Sequence, residues 1–296
     1  GLGEISTTSP AELHLLPPHA MLRLTRLRQF KVLTRTISTV AYLSQSTSFS
    51  SHLLSQTPIV VPASVLPPLP ASTRWFSRST TAPTTLNLPY LLSVLPPPGP
   101  LVSIEHTTPT SFSRADLPLP IFLSALSSAL SSHSPLPFYL AQQPAPPALL
   151  PDLPLPALLD PKAQSHSSLW IGLTPTNTPL HRDPDDNLLL QLAGTKIVRL
   201  WDPSEGAQAM ERMGIKGRIQ GEEMMRGPER GKRDELVWGE SEEWKKWRGR
   251  GWEARVREGE AVFVPRGWWH AVRGVREGDR EGDREEVNAS VNWWFR

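Results

Sequence analysis

Within residues 177–203, NTPLHRDPDDNLLLQLAGTKIVRLWDP, an imidazole and a carboxylate stand two positions apart at His181 and Asp183. On an extended strand, residues i and i+2 face the same side, so the two groups are presented together. Polar groups aimed into a sheet interior are costly unless something pairs them, and a metal ion would do so. A second imidazole from far along the chain would complete a two-histidine, one-carboxylate facial set with open positions. That is the arrangement non-haem Fe(II) oxygenases use. The best candidate is His270. It follows FVPRGWW, an apolar run and a Pro-Arg-Gly bend that deliver it among bulky, water-excluding aromatics. Lys196 opens the strand-like run TKIVRLW. Facing inward, its ammonium would need an anionic partner, which a dicarboxylate co-substrate would supply. Each residue alone has a plainer reading: His-x-Asp is common in surface loops, and a strand lysine often faces outward. The flank sets this motif apart, because an apolar run, NLLLQLAG, follows it instead of a polar loop.

Bulk composition narrows the possibilities. The chain has 296 residues, enough for one large domain or two small ones. Hydrophobic content is 39% and there are 32 prolines, so a core must be concentrated in part of the chain. With no cysteine there are no disulfides or thiolate metal sites, which leaves His, Asp and Glu as the strong ligands. A net charge of +2 is far short of a nucleic-acid-binding signature. No run approaches the roughly 18 apolar residues of a membrane span.

The elements that must position these residues lie in the C-terminal two thirds. Between Glu12 and Glu105 there is no acid at all. From Met21 the chain is Arg-rich, hydroxyl-rich and acid-free, the composition of a mitochondrial transit peptide. Residues 1–56 are therefore expected to be a basic leader, with a mitochondrial destination. A leader carrying no address, in a nuclear or cytoplasmic protein, is the alternative. Residues 57–99 are Pro-rich and read as an irregular linker. Beyond them, PLVSIEH (100–106), LPFYLAQQ (136–143) and NASVNWWFR (288–296) read as strands, and 115–130 as helix in its second half. SSLWIGLTPTNTPLHRD (167–183) reads as strand, turn, strand. NLLLQLAG and TKIVRLW read as a hairpin, and 252–275 as two strands across a Glu-Gly turn followed by a third. Residues 204–250 mix both charge signs with many glycines and read as a solvated insertion. Its Trp238, Trp244 and Trp247 could touch a nucleic acid or a basic tail, although its charges nearly balance. Many short strands and few helices indicate a mostly β fold, a jelly roll.

Five blocks occur in one order: YLAQ (139–142), LWIG (169–172), TPLHRDPDDNLLLQLAGTKIVRLWDP (178–203), GEAVFVPRGWWH (259–270) and SVNWWF (290–295). Together they resemble the JmjC-type cupin oxygenases, close to the JmjC-only hydroxylases, the group of the asparaginyl hydroxylase factor inhibiting HIF. The resemblance covers about residues 100–296. It implies a double-stranded β-helix, a jelly roll or cupin barrel, with flanking N-terminal helices. It also implies Fe(II), 2-oxoglutarate as co-substrate, and O2. Carried over by position, His181, Asp183 and His270 would bind Fe(II). Lys196 would pair with the distal carboxylate of 2-oxoglutarate, to which Tyr139 and Thr178 would hydrogen-bond. Asn187 and Asn292 would line the pocket near the metal and co-substrate, and Trp170 would pack beside them. Tyr139 and Trp170 serve equally well as core aromatics, whereas a buried Asn292 wants partners.

The implied activity is hydroxylation of a protein side chain. The same machinery acting on an N-methyl group would demethylate a histone or another protein at lysine, and an RNA base is a further substrate class. Outside that chemistry, a cupin holding another metal, or a pure binding module, is the alternative. Lys196 together with Asn292 argues against it. The stretch between Asp202 and Trp252 is longer and more charged than the family's usual connection, so no role transfers to it. Family members often continue into dimer-forming helices after the last strand, and the resemblance therefore carries no oligomeric state for this chain.

Overall fold

Short strands and brief helices alternate through the N-terminal third of the computed structural model, which describes residues 36–44, 48–79, 83–108, 111–215, 227–276 and 285–296. These residues fall in one unit, Thr34–Arg296. The order begins β1 (Ser38–Thr39), α1 (Phe49–Ser55), β2 (Ile59–Val61), α2 (Pro70–Arg74), β3 (Phe76–Ser77), β4 (Thr85–Leu86) and α3 (Leu88–Val94). It continues β5 (Leu101–Thr107), β6 (Phe112–Pro118), α4 (Leu119–Ser132), β7 (Phe138–Gln143) and a 3-10 turn, Pro147–Asp152. Of the leader expected over residues 1–56, which includes the transit-peptide reading from Met21, residues 1–35 and 45–47 lie outside the described residues.

The leader and linker readings both need correction. Residues expected in a leader up to 56 form β1, which pairs with a barrel strand, and α1, whose Ser48 side chain accepts a hydrogen bond from the Ser51 N–H as its N-cap. Residues 57–99 are no linker. Pro70 and Pro89 stand in the first turn of α2 and α3, where a missing N–H costs nothing. Between the prolines, Leu66, Leu69, Trp75, Phe76, Leu86, Leu91 and Leu95 are buried. Two of the prolines here mark helix starts, not an irregular linker.

The barrel follows as β8 (Gln164–Leu173), β9 (Thr176–Arg182), β10 (Asp186–Ala193), β11 (Thr195–Trp201), β12 (Trp252–Val256), β13 (Ala261–Val264), β14 (Trp269–Val275) and β15 (Val287–Phe295). Between β11 and β12 lie α5 (Pro203–Arg212), α6 (Gly227–Trp238) and α7 (Glu242–Arg248). One sheet runs β2-β13-β10-β15-β8-β7-β5-β6 and the other β1-β12-β11-β14-β9. Successive barrel strands alternate between the two sheets, except that β11 and β12, separated in sequence by α5–α7, are antiparallel neighbours in one sheet, and this is the double-stranded β-helix. The expected β10–β11 hairpin is not one: the strands belong to different sheets, and the chain crosses over at Gly194, whose φ is +72°. The same correction applies across the Glu-Gly turn, because β12 and β13 also separate.

Three cores result. Leu189, Val198, Val262, Val264 and Val272 fill the barrel. Leu188, Leu190 and Leu192 point the other way, onto a layer that includes Phe122, Leu123 and Leu126 of α4. This explains why every residue of β10 is buried: both of its faces are covered. The outer face of the second sheet is covered by α5–α7 through Leu180, Trp201, Met210, Leu236, Val237 and Trp247. The expected solvated insertion is thus a helical cover over its described part. Its tryptophans are engaged internally: Trp247 stacks on Trp201 with ring centroids 4.2 Å apart. Trp238 lies between the guanidiniums of Arg199 and Arg273, at 4.4 and 4.3 Å. The sequence balance of charges missed this, because the apolar positions are few and widely spaced.

Candidate metal centre

His181 is the penultimate residue of β9, His270 is the second residue of β14, and the two are register partners in adjacent antiparallel strands. Asp183 follows one residue beyond β9, and its carbonyl accepts a hydrogen bond from the Gly267 N–H at 2.8 Å, which fixes the strand end. The donor atoms of His181, Asp183 and His270 all lie within 4.8 Å of one another. His181 Nε2 is 3.9 Å from Asp183 Oδ1 and His270 Nε2 is 3.7 Å from Asp183 Oδ2. These spacings are too long for hydrogen bonds and short enough for one ion to bridge, at about 2.1 Å to each ligand.

The tautomers suit an ion. His181 Nδ1 lies 2.8 Å from the Pro179 carbonyl and His270 Nδ1 lies 3.1 Å from the Trp268 carbonyl. A carbonyl only accepts, so each Nδ1 carries the hydrogen and each Nε2 presents a lone pair. Burial pulls the pKa of His270 down to about 4, which keeps its ring neutral at ordinary pH. Burial pushes the Asp183 carboxyl up. The two imidazoles, with hydrogen bonds from Trp294 and Asn187, outweigh that and hold it below the usual carboxylate range.

A bulge shapes this wall. His270 faces His181 and Val272 faces Thr178, so two steps on β14 match three on β9. Regular alternation would put Thr178 and His181 on opposite faces; the bulge returns both to the pocket that they line. Pro179 sits within the bulge, where a residue without an N–H is tolerated.

The same pocket is lined by Trp170, Asn187, Lys196, Asn292 and Trp294, with Leu189, Val198, Val264 and Val272 between them. Lys196 is 2% exposed, and its Nζ donates to Ser290 Oγ at 2.5 Å. Burial alone pulls its pKa down to about 7. No carboxylate is shown paired with it among the described residues. Two further buried atoms lack a partner: Trp170 Nε1 and Asn292 Oδ1. A buried ammonium whose hydrogen-bond partner is a neutral hydroxyl and an indole N–H without an acceptor suit a carboxylate-bearing ligand, and the three metal-ligating side chains beside them suit a divalent ion. The residues present thus fit both groups.

Of the expected site residues, the structure brings together His181, Asp183, His270, Thr178, Asn187, Lys196, Asn292 and Trp170. Tyr139 is the exception. It does not line the pocket. It stands one ring behind it, 6.0 Å from the Trp170 ring and against Gly172, with its hydroxyl bonded to Thr176. Sequence reasoning missed two residues, Ser290 and Trp294. They share a strand face with Asn292 at i±2, and that alternation was the available signal.

No described helix is long and apolar enough to cross a membrane. A family profile described as a cupin-like domain matches residues 45–296. A lysine-specific demethylase of Arabidopsis thaliana is 28% identical over 145 residues, 49% of this chain and 23% of that protein. A JmjC domain-containing protein of Dictyostelium discoideum is 28% identical over 156 residues, 50% of this chain and 32% of that protein. The matched regions thus cover less than half of the length of these relatives. The β-helix topology, the His-Asp-His cluster and the span of the profile lead to one conclusion: the chain belongs to the cupin-like domain family.

Proposed function

We propose that the chain is an Fe(II)- and 2-oxoglutarate-dependent dioxygenase that hydroxylates a side chain of a protein substrate. The observation that carries this reading is Lys196, a buried cation with a hydroxyl for a partner and no shown carboxylate, in the same pocket as the three ligand residues. A metal-binding cupin with another task has no use for such a group; a dicarboxylate co-substrate does. His181, Asp183 and His270 would hold the iron. Lys196, Thr178 and Trp170 Nε1 would receive the distal carboxylate. When bound, the iron and 2-oxoglutarate couple consumption of O2, with release of CO2 and succinate, to insertion of one oxygen atom into a C–H bond. The apolar residues Leu189, Val198, Val264 and Val272 exclude water from that exchange.

Lysine demethylation is the second reading, favoured by the similarity to the Arabidopsis lysine-specific demethylase. It needs the same machinery and differs in the carbon that is attacked. The RNA-base alternative loses its main support, because Trp238 and Trp247 are engaged within the helical cover.

The deciding experiment is production of succinate from 2-oxoglutarate by the purified chain, with and without Fe(II). His181→Ala is expected to abolish it. Turnover that persists in the absence of iron rejects the reading. Mass spectrometry of candidate proteins after incubation then separates oxygen gain from methyl loss.

A further inference from the structure

Asp183 is the one acidic member of the ligand set, and its two oxygens are held unequally. Oδ2 accepts from the indole Nε1–H of Trp294 at 2.9 Å and from Asn187 Nδ2 at 3.4 Å. Asn187 in turn accepts from Asn292 Nδ2 at 3.0 Å. No such donor is shown for Oδ1, which is the oxygen nearer His181 Nε2. Trp294 is itself clamped. His166, its register partner on β8, stacks on it with ring centroids 4.5 Å apart and planes 7° apart. The indole is thus fixed by a neighbouring ring and spends its single donor on a ligand carboxylate.

We propose that Trp294, steadied by His166, is a positioning residue that locks the rotation of Asp183 and leaves Oδ1 as the oxygen offered to the metal. This rests on the metal-centre reading above and deepens it. A free carboxylate at a strand end rotates about its terminal torsion, which is broad. Two donors on one oxygen remove that freedom before an ion arrives. Partners of this kind, one step out from the metal, typically contribute 10- to 100-fold in affinity.

The test is titration of the metal-free chain with Co(II), read by its visible ligand-field absorption, so that no turnover is needed. Trp294→Phe keeps a ring for His166 to stack on and removes only the N–H. It is expected to weaken Co(II) binding about 10- to 100-fold and to alter the absorption band. His166→Phe, which preserves stacking, is expected to bind as the wild type does, whereas His166→Ala should weaken binding several-fold. Wild-type affinity and an unchanged band in Trp294→Phe overturn the inference while leaving the metal centre standing. Failure of the wild type itself to bind Co(II) overturns both. If Trp294→Phe does not fold, His166→Ala decides, since that side chain is exposed: undiminished affinity there overturns the inference.

Discussion

At the scale of single residues, Lys196 makes the sharpest statement. Removing an ammonium from water without a counter-charge lowers its pKa, here to about 7 from the ordinary lysine value. A carboxylate placed against it would raise that value again, so binding an anionic co-substrate takes up a proton whenever the free site is neutral. The sign follows. Below about pH 7 the lysine is already charged and affinity is flat; above it, affinity for 2-oxoglutarate should fall up to about tenfold per pH unit. Calorimetry in two buffers of different ionisation enthalpy would register the proton uptake, and pH-independent affinity through that window contradicts the assignment. Lys196→Met should raise the co-substrate requirement about 10- to 100-fold while leaving Co(II) binding intact. Much at this scale was legible, because i, i+2 spacing on a strand, an apolar flank and an inward lysine are local facts. Ser290 and Trp294 were not, since their roles depend on the side chains they face across the barrel: Lys196 and Asp183 lie far away in the chain.

At the scale of elements, strand content was readable and strand pairing was not. NLLLQLAG and TKIVRLW have the alternation and turn chemistry of a hairpin, and they do form β10 and β11, yet each pairs elsewhere. What decides between a hairpin and a crossover is whether the partner strands arrive from distant sequence, which no local window contains. Gly194 is the residue that allows the crossover. A Cβ there would lie 2.7 Å from the Val287 carbonyl oxygen and 3.1 Å from Asn288 Nδ2, in addition to the strain of positive φ. Gly194→Ala should therefore destabilise the fold by about 1–3 kcal/mol. Because Lys196 lies two residues on, the variant should also lose affinity for 2-oxoglutarate. Thermal melts with and without the co-substrate check both effects, and a variant that melts with the wild type would show that the turn relaxes freely. The helices of 204–250 were missed for a related reason. They are held by anchors such as Arg199 donating to the Val237 carbonyl at 2.6 Å, a contact made by tertiary placement and not by helix periodicity.

At the scale of the whole molecule, the barrel is held between two helical layers, and the N-terminal layer is fastened by one buried carboxylate. Asp152 is 2% exposed. It accepts from Trp75 Nε1 at 2.8 Å, the Tyr90 hydroxyl at 2.6 Å and Arg74 Nη1 at 2.7 Å. It thereby ties the end of α2, the middle of α3 and the 3-10 turn into one body. Burial pushes its carboxyl up, yet the hydrogen bonds from Tyr90, Trp75 and Arg74 prevail and hold it below the usual carboxylate range. For a carboxylate depressed in the folded state, the stabilisation is fully present above the unfolded pKa of about 3.9 and is lost as pH falls through the lower folded value. This clip should thus hold unchanged between about pH 5 and pH 8 and fail only in acid. Asp152→Asn removes the charge; its amide oxygen can still accept from Trp75 and Tyr90, but its NH2 then faces the half-exposed Arg74, so the charge-assisted bonds to all three donors are weakened or lost. The expected loss is about 1–3 kcal/mol near neutral pH, or about 2–4 °C in Tm for each kcal/mol. The metal centre lies on the far side of the sheet from this network, so Co(II) affinity of the folded variant should match the wild type. A variant that instead loses metal binding along with stability would mean that the helical layer sets the geometry of the barrel interior, and that residues read as a linker belong to the site's foundation.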